Sequence, residues 1–338
     1  MHNNNHFLSR IRASQTLVWL LFALLFSGTA NAAGNDLSAS ALASDNLALH
    51  SGESIELAIP ANSRFLLVHN IGIDSIVELR DSNKQLVVSA ASWRGSEGRY
   101  VLDLNHAHNG QIELYNPENF VMNGSVALYW LDEQKLSQQA VAAFSHWSRA
   151  ADMHLQALRG DASQRTAAIS AYQQSARALA GTGLSHLLGD LHYEVGQAQR
   201  IAGDLELAQA SYIQALSAYQ AENDNAGIAV TYNALGRTAR SRGNLDEAIR
   251  LYQRSLSQRQ TLSAKGNAYK PIYQAVTLNN IAVVEIERDR YDQAAAAFSQ
   301  ALPKLAGVAD QSVDAVLAMS AAEIGARGDL SETVNTMN

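Results

Sequence analysis

The stretch GNLDEAIRLYQRSL, residues 243–256, occurs in three related versions along the chain. An upstream version, GDLELAQASYIQAL, covers residues 203–216, and a downstream version, DRYDQAAAAFSQAL, covers residues 289–302. Self-similarity at a nearly constant interval of a few tens of residues is the sequence signature of repeat architectures. The chain is therefore predicted to contain a stack of repeated structural units.

Small and aromatic residues recur in register with this repeat. The aromatic residues are Tyr172, Tyr212, Tyr252 and Phe298, and the small residues four positions before them are Ala168, Ala208, Ala248 and Ala294. Sixteen positions before the last three aromatics stand Gly196, Gly236 and Ala282. Small residues at these offsets allow two helices to approach closely, and the aromatic ring then fills the space between neighbouring pairs. Each repeat is predicted to be a helical hairpin that must stack on others to bury its apolar face.

This pattern resembles the tetratricopeptide repeat family. The likeness is carried by Leu235-Gly236, the turn Gly243-Asn244-Leu245, Ala248 and Tyr252. It covers residues 150–338, with hairpins near 150–180, 189–222, 229–262 and 275–308 and a partial hairpin at 314–338. Two departures stand out: Ser255 replaces a small Ala of the second helix, and Gln156 stands where the first hairpin needs Gly or Ala. The resemblance implies a right-handed helical solenoid whose concave face holds a peptide or a partner protein.

Carried over residue by residue, the resemblance also implies a set of partner-binding side chains on the first helices of the hairpins. These are Tyr193, Gln197, Arg200, Asn233, Arg237, Arg240, Asn279 and Asn280. Asn280 falls where some family members use an Asn to hold the backbone of a bound peptide. Arg237 and Arg240 lie three positions apart on one helical face, where two guanidinium groups could meet carboxylates. The alternative is that these arginines are solvated and pair with neighbouring Asp or Glu residues.

A different period governs the residues before the repeats. From about residue 51 to residue 131, short runs with alternating apolar residues are separated by turn residues, such as Asn109-Gly110, and they predict about seven strands. From residue 132 onward alanine becomes frequent and the apolar period is close to 3.6. The predicted fold class is α+β: a small antiparallel β-sandwich at 51–131, followed by an all-α superhelix of helical hairpins at 132–338.

The predicted sandwich resembles the small β-domain that precedes the repeats in exported bacterial proteins ending in a CHAT domain. The element GIDSIVELRDSN, residues 72–83, carries most of this likeness. In those proteins the CHAT region is a caspase-like protease that uses a His and a Cys, and this chain has no cysteine. One hypothesis is therefore that the chain is the recognition part of such a peptidase, with the catalytic domain absent from it.

The first 32 residues have the features of an export signal. Arg10 and Arg12 precede an apolar stretch at 16–26, and Ala30-Asn31-Ala32 forms an A-x-A cleavage site. The apolar stretch is too short to span a bilayer, which needs roughly 20 helical residues. We expect cleavage after Ala32, a flexible segment at 33–50, no membrane span in the cleaved product, and a periplasmic or secreted location.

Composition and motifs exclude several classes of function. The net charge is -7 and no basic cluster is present, so nucleic-acid binding has no electrostatic source. The absence of cysteine excludes disulfides and thiol chemistry. His106 and His108 are the best metal candidates, but they have no third ligand nearby in sequence, so we expect no metal and no cofactor. The main hypothesis is a non-enzymatic scaffold for a protein or peptide partner; a carbohydrate-binding role of the sandwich is a further alternative.

Overall fold

The computed structural model describes residues 41–50, 52–71, 73, 75–91, 98–105, 110–116, 124–158, 160–264 and 271–305. Within these residues an antiparallel β-sandwich is followed by eight α-helices. This two-part architecture confirms the predicted α+β fold class. The predicted signal peptide and the partial hairpin at 314–338 lie outside the described residues.

The sandwich consists of two four-stranded sheets. Its strands are β1 (Ala41–Leu49), β2 (Ser54–Leu57), β3 (Ser63–Ile71), β4 (Ile76–Arg80), β5 (Leu86–Ala91), β6 (Arg99–Asp103), β7 (Gln111–Tyr115) and β8 (Gly124–Asp132). The first sheet has the order β1-β8-β3-β6 and the second has the order β2-β7-β4-β5, and neighbouring strands are antiparallel. Two packed antiparallel sheets define the sandwich class of folds.

Alternation along the strands builds the core between the sheets. In the first sheet Leu66 pairs with both Leu102 and Trp130, and all three side chains are buried in the core. In the second sheet Leu79 pairs with Ile112, which is also buried in the core. Because successive side chains of a strand point to opposite faces, the residues between these positions face away from the core.

Strand β1 corrects the expectation of a flexible segment at 33–50. Residues 41–49 pair with β8 along nearly their whole length, and Leu49 is buried in the core. The sequence of this strand, ALASDNLAL, has no β-branched residue and no clear alternation. Pairing with a neighbouring strand and burial of a few side chains outweigh this weak local preference, so the sandwich has eight described strands rather than seven.

The helices form four hairpins. Their bounds are α1 (Gln138–Leu158), α2 (Gln164–Leu179), α3 (Leu188–Ala202), α4 (Leu205–Ala221), α5 (Asn225–Ser241), α6 (Leu245–Ala264), α7 (Pro271–Glu287) and α8 (Tyr291–Ala301). Contacts between α3 and α5 and between α5 and α7 are more extensive than contacts among α4, α6 and α8. The stack therefore curves with α3, α5 and α7 on its inner side, and we refer to these as the inner helices and to α4, α6 and α8 as the outer helices.

Tyrosine rings packed against glycines hold the hairpins together. A Cβ atom at Gly196 would lie 2.8 Å from the ring of Tyr212, and one at Gly236 would lie 2.6 Å from the ring of Tyr252. Both rings are fully buried. Any larger residue at these glycines would overlap the ring, so each glycine allows one inner helix to lie against the aromatic residue of its outer helix.

The first hairpin differs from the others in its register. The Ser175 hydroxyl donates to the Ala143 carbonyl at 2.8 Å, and the Ser255 hydroxyl donates to the Ala229 carbonyl at 2.7 Å. Because the first pair is separated by six more residues than the second, Ala150, and not Gln156, corresponds to Gly236 in the first hairpin. The apparent departure at Gln156 came from a longer helix α1 together with a longer connection between α1 and α2. Ser255 likewise has a structural reason, since it satisfies a carbonyl of the inner helix.

Helix α1 belongs to both parts of the molecule. The ring of Phe144 lies edge-on against Phe65 of β3, with a centroid separation of 5.6 Å. Ala151 contributes to the core of the sandwich. The Asp152 carboxylate accepts a hydrogen bond from the backbone amide of Ser89 at 3.0 Å, which covers the edge strand β5. The sandwich therefore closes the first end of the helical stack.

Candidate functional site

The inner helices carry all eight residues predicted to bind a partner. Helix α3 contributes Tyr193, Gln197 and Arg200, helix α5 contributes Asn233, Arg237 and Arg240, and helix α7 contributes Asn279 and Asn280. Only Arg200 and Arg237 are partly exposed, and the other six are at least nine-tenths buried. These two arginines are therefore the side chains of this set that a partner reaches most readily.

The charges of Arg200 and Arg237 both act on the hydroxyl of Tyr212. This hydroxyl donates to the Gln197 side-chain oxygen at 2.9 Å, and the ring packs on Tyr193 with a centroid separation of 5.4 Å. Arg200 lies within hydrogen-bonding reach of the same hydroxyl, and the Arg237 charge acts on it from the next inner helix. We name these five residues, Tyr193, Gln197, Arg200, Tyr212 and Arg237, the inner-face cluster.

Burial dominates the electrostatics of this cluster. It raises the pKa of Tyr212 well above its ordinary value, and the neighbouring Tyr193 adds to the increase. Arg200 and Arg237 act in the opposite direction without cancelling it. Tyr212 is therefore protonated at neutral pH. Two partly exposed guanidinium groups on neighbouring inner helices can bind a carboxylate, because guanidinium groups present paired donors to its oxygens.

Arg240 takes a different role from the one predicted for it. Its Nε and one terminal nitrogen donate to the same oxygen of Glu287 on α7, at 3.1 and 2.9 Å. Arg240 is only 8% exposed. The expected pair of Arg237 and Arg240 is thus divided: the charge of Arg237 acts on the Tyr212 hydroxyl, while Arg240 ties α5 to α7, as the alternative of pairing with a nearby acid anticipated.

Asn280 also connects neighbouring inner helices. Its side-chain amide donates to the side-chain oxygen of Asn233 at 3.0 Å. Both side chains are nearly buried. A buried polar group is costly when it lacks a hydrogen bond, so this contact fixes the spacing of α5 and α7 at the inner face. While this bond is intact, the side-chain oxygen of Asn233 and one amide hydrogen of Asn280 are not available to a peptide backbone.

Sequence reasoning missed a polar junction between the sandwich and the second hairpin. The Asp190 carboxylate on α3 is fully buried; it accepts from Arg99 of β6 at 2.8 Å and from the Tyr219 hydroxyl at 3.2 Å. A Cβ at Gly227 would lie 2.5 Å from the Tyr219 ring, and one at Gly189 would overlap it. The pairing of an aromatic residue with a small one, which identifies Tyr212, could also have identified Tyr219. The two glycines that contact Tyr219, however, lie in different hairpins.

A second polar region lies on the outer face of the sandwich. A pocket of about 380 Å³ is lined by Gly52, Ser54, Glu78, Arg80, Glu113, Tyr115 and Asn116. Glu78 pairs directly across the strands with Glu113, an arrangement that is unfavourable unless it is neutralised. Arg80 bridges both carboxylates, and the Tyr115 hydroxyl donates to Glu78 at 3.3 Å. Arg80 and Tyr115 thus offset the repulsion between the two carboxylates.

The described residues contain no group of three or more His, Asp or Glu side chains placed to hold a metal ion. His106 and His108 lie outside that part of the chain. No helix in the described part is long and apolar enough to cross a membrane.

Comparison with known proteins bears on the helical part. A family model described as "Tetratricopeptide repeat" matches residues 186–261, which span the second and third hairpins. No curated protein matches the chain. The resemblance to exported CHAT-domain proteins therefore stays a prediction.

Several solved structures are similar to about half of the chain. BtubC (BKLC) from P. vanneervenii is 22% identical, with 51% of this chain and 67% of that chain covered and a TM-score of 0.44. MamA is 18% identical, with 50% and 95% covered and a TM-score of 0.31. The apo form of RapI is 12% identical, with 53% and 46% covered and a TM-score of 0.40.

Proposed function

We propose that this chain is an exported, non-enzymatic scaffold that binds a protein or peptide partner along its inner helices. The observation that carries the proposal is that Arg200 and Arg237 are partly exposed on the neighbouring inner helices α3 and α5, where the charges of both act on the Tyr212 hydroxyl. The family match to residues 186–261 supports it, because tetratricopeptide repeats bind protein partners. Binding uses the surface that the stacked inner helices present.

The inner-face cluster favours a partner that carries carboxylates. The protein as a whole is acidic, with a net charge of -7, and Arg200 and Arg237 are partly exposed cations on neighbouring inner helices. A carboxylate that reaches them accepts charge-assisted hydrogen bonds from the guanidinium groups. The buried contacts of Asn233, Asn280 and Arg240 hold the inner helices in place, so that the binding surface is formed before the partner arrives.

A peptide-capture experiment tests this proposal. The purified chain is incubated with a random-sequence peptide library that has free carboxyl termini, and captured peptides are quantified by mass spectrometry. We expect enrichment of acidic peptides and a loss on the order of tenfold or more after Arg200→Glu with Arg237→Glu, because losing a charge pair of about 1.4 kcal/mol changes affinity tenfold. Circular dichroism checks that both forms are equally helical.

The matched control is Arg250→Glu with Arg254→Glu. Both of these arginines are exposed and both lie on the outer helix α6, so the net charge changes by the same amount. Enrichment should survive in this control. Equal losses in the two double variants would mean that net charge, and not the inner-face cluster, selects the peptides, and the proposal would be wrong.

Export of the chain rests on the pattern of its first 32 residues. The intact mass of the product from its native cells tests this part, since the uncleaved chain has a mass of 36.5 kDa. A mass lower by that of residues 1–32, found in the exported fraction, is the expected result. An uncut product inside the cell would contradict export, and a product much larger than 36.5 kDa would favour the recognition part of a larger peptidase.

A further inference from the structure

The pocket on the outer face of the sandwich shares no residue with the inner-face cluster. Its lining comes mainly from three neighbouring strands of the second sheet, β2, β7 and β4. Its volume of about 380 Å³ falls in the range of small-molecule sites, which begins near 300 Å³. We name the pocket between Ser54, Glu78, Arg80, Glu113 and Tyr115 the sandwich pocket.

The strand register fixes the positions of the side chains in the sandwich pocket. Glu78 of β4 pairs directly with Glu113 of β7, and Tyr115 of β7 pairs with Ser54 of β2. Residues two positions apart on a strand point to the same face of a sheet. Paired strands therefore hold the polar groups of the pocket in place, as a binding site requires.

Glu78 lies on the buried side of the pocket, where its carboxylate is already bound. Its side chain accepts a hydrogen bond from the Arg80 guanidinium and another, at 3.3 Å, from the Tyr115 hydroxyl. Glu78 is only 4% exposed, and a buried carboxylate is costly unless it is paired. The role of Glu78 is therefore to orient Arg80 and Tyr115.

Arg80 and Glu113, by contrast, keep hydrogen-bonding capacity toward the pocket. A guanidinium group has five N–H donors, and that of Arg80 donates to Glu78 and, at 3.3 Å, to the Lys84 carbonyl. Its Nε lies 3.9 Å from a carboxylate oxygen of Glu113, which is too far for a direct hydrogen bond. Within the described part of the chain the Glu113 carboxylate accepts no hydrogen bond. A donor and an acceptor thus lie side by side, and both side chains are partly exposed.

A hydroxyl group matches this neighbouring donor and acceptor better than a charged group does. One hydroxyl placed between Arg80 and Glu113 can donate to the carboxylate and accept from the guanidinium. An ammonium group only donates, and Arg80 would repel it. A carboxylate or phosphate only accepts, and Glu113 would repel it. The pocket therefore favours a neutral ligand that carries hydroxyl groups.

The remaining lining favours several hydroxyl groups on one compact ligand. Ser54 is exposed, and its hydroxyl can both donate and accept. Among the described lining residues Tyr115 alone carries an aromatic ring, so a mainly apolar ligand would find few contacts. The volume leaves room for a small carbon frame between these groups.

We propose that the sandwich pocket binds a neutral polyhydroxylated ligand, a saccharide, with one hydroxyl of the ligand bridging Glu113 and Arg80. The Glu113 carboxylate accepts from this hydroxyl, the Arg80 guanidinium donates to it, and the Tyr115 ring offers an apolar surface to the carbon frame. The proposal assigns a place to the carbohydrate-binding role that the sequence left as an alternative. It does not depend on a partner at the inner helices.

Saturation-transfer NMR on the full chain tests the proposal. The probes are four neutral sugars, glucose, galactose, mannose and N-acetylglucosamine, each titrated to obtain a Kd. We expect saturation transfer to at least one of them. Glu113→Leu should raise its Kd on the order of tenfold or more, because a hydrogen bond to a charged acceptor is lost. Circular dichroism checks that the variant keeps its fold.

The matched control is Glu56→Leu. Glu56 is exposed on β2 and pairs directly with Glu113, but it does not line the pocket, so the same charge is removed from the same sheet. The Kd should stay within about twofold in this control. An equal loss in both variants would overturn the proposal, because the charge of the face and not the pocket would then control binding.

Two charged probes distinguish the proposed ligand from other small molecules. Lysine methyl ester carries ammonium groups and inorganic phosphate is an anion, and each is added in competition with the sugar. Neither should displace it at an equal concentration. Displacement by either probe, or no saturation transfer to any of the four sugars with the unmodified chain, would overturn the proposal.

Discussion

The sandwich and the helical stack achieve burial in different ways. In the sandwich, aliphatic residues such as Leu66, Leu79 and Ile112 alternate along strands and fill the space between two sheets. In the stack, a few tyrosine rings fill spaces left by glycines, as Tyr252 does at Gly236. Alternation requires only that a residue be apolar and of about the right size. The packing of a ring against a glycine requires both residues, so the stack tolerates fewer substitutions than the sandwich.

The largest effect is expected when a ring is removed from the stack. Tyr219→Ala removes a buried ring that contacts two helices and donates to Asp190, so we expect a loss of about 3–5 kcal/mol in the free energy of unfolding. Tyr291→Ala is the control, since Tyr291 is 58% exposed on α8. Urea denaturation measures both, and similar losses would contradict the packing role assigned to Tyr219.

Lowering the pH should reduce the stability of the first hairpin through His154 on α1. Burial lowers the pKa of His154 to about 4 from its ordinary 6.5, and the charge of Arg165 adds to this effect. Above pH 6.5 the residue is neutral in both the folded and the unfolded chain. Between pH 6.5 and pH 4 only the unfolded chain binds the proton. The free energy of unfolding therefore decreases as the pH is lowered, by about 3 kcal/mol at pH 4.

Replacing His154 by Phe isolates this contribution from that of the carboxylates. His154 is nearly buried, with its ring edge-on to Tyr172 at 6.1 Å, so Phe keeps an aromatic ring there. The difference in unfolding free energy between the two chains, followed by urea denaturation from pH 7 to pH 4, should change by about 3 kcal/mol in favour of the variant. A difference independent of pH would show that His154 is not responsible.

A smaller effect is expected when a methyl group is added beneath a ring. Gly236→Ala places a Cβ 2.6 Å from Tyr252, so overpacking of about 1–3 kcal/mol exceeds the gain in helix propensity of about 1 kcal/mol. The control is Gly243→Asn. Gly243 has φ of +78° with open space around it, and Asp289 occupies the corresponding turn with φ of 58°. Only Gly236→Ala should lower the midpoint temperature of thermal unfolding.

The smallest effect is expected in the sandwich. Leu79→Met conserves volume in a core built by alternation and should cost less than about 1.5 kcal/mol. Urea denaturation measures this change alongside Gly236→Ala. A loss from Leu79→Met that exceeded the loss from Gly236→Ala would reverse the ranking of the two regions.

The repeat was predictable because its signal is local and recurs. Gly236 and Tyr252 stand sixteen positions apart within one hairpin, so their pairing can be read from a single copy. Tyr219 escaped this reasoning because its ring lies between Gly189 and Gly227, on two separate helices. Strand β1 escaped it because its partner β8 is about 80 residues away in sequence and its own residues favour no strand.

The candidate site was only partly predictable. Helical periodicity placed Arg237 and Arg240 on one face, but it could not show that Glu287, from the next hairpin, binds Arg240. The effect of the Arg237 charge on Tyr212 likewise acts between hairpins. Which charged side chain of a repeat faces solvent and which faces its neighbour depends on the stacking geometry, which a single repeat does not contain.

Site-specific photocrosslinking in the native cells tests the central claim most directly. A photoreactive residue is placed at Ser241, which is exposed one helical turn after Arg237 on the inner helix α5, or at Ile213, which is 53% exposed on the outer helix α4. The inner-helix position is expected to give a discrete adduct that disappears with Arg200→Glu and Arg237→Glu, and the outer-helix position is expected to give none. An adduct formed only at Ile213, or one at Ser241 that survives both substitutions, would contradict partner binding at the inner-face cluster.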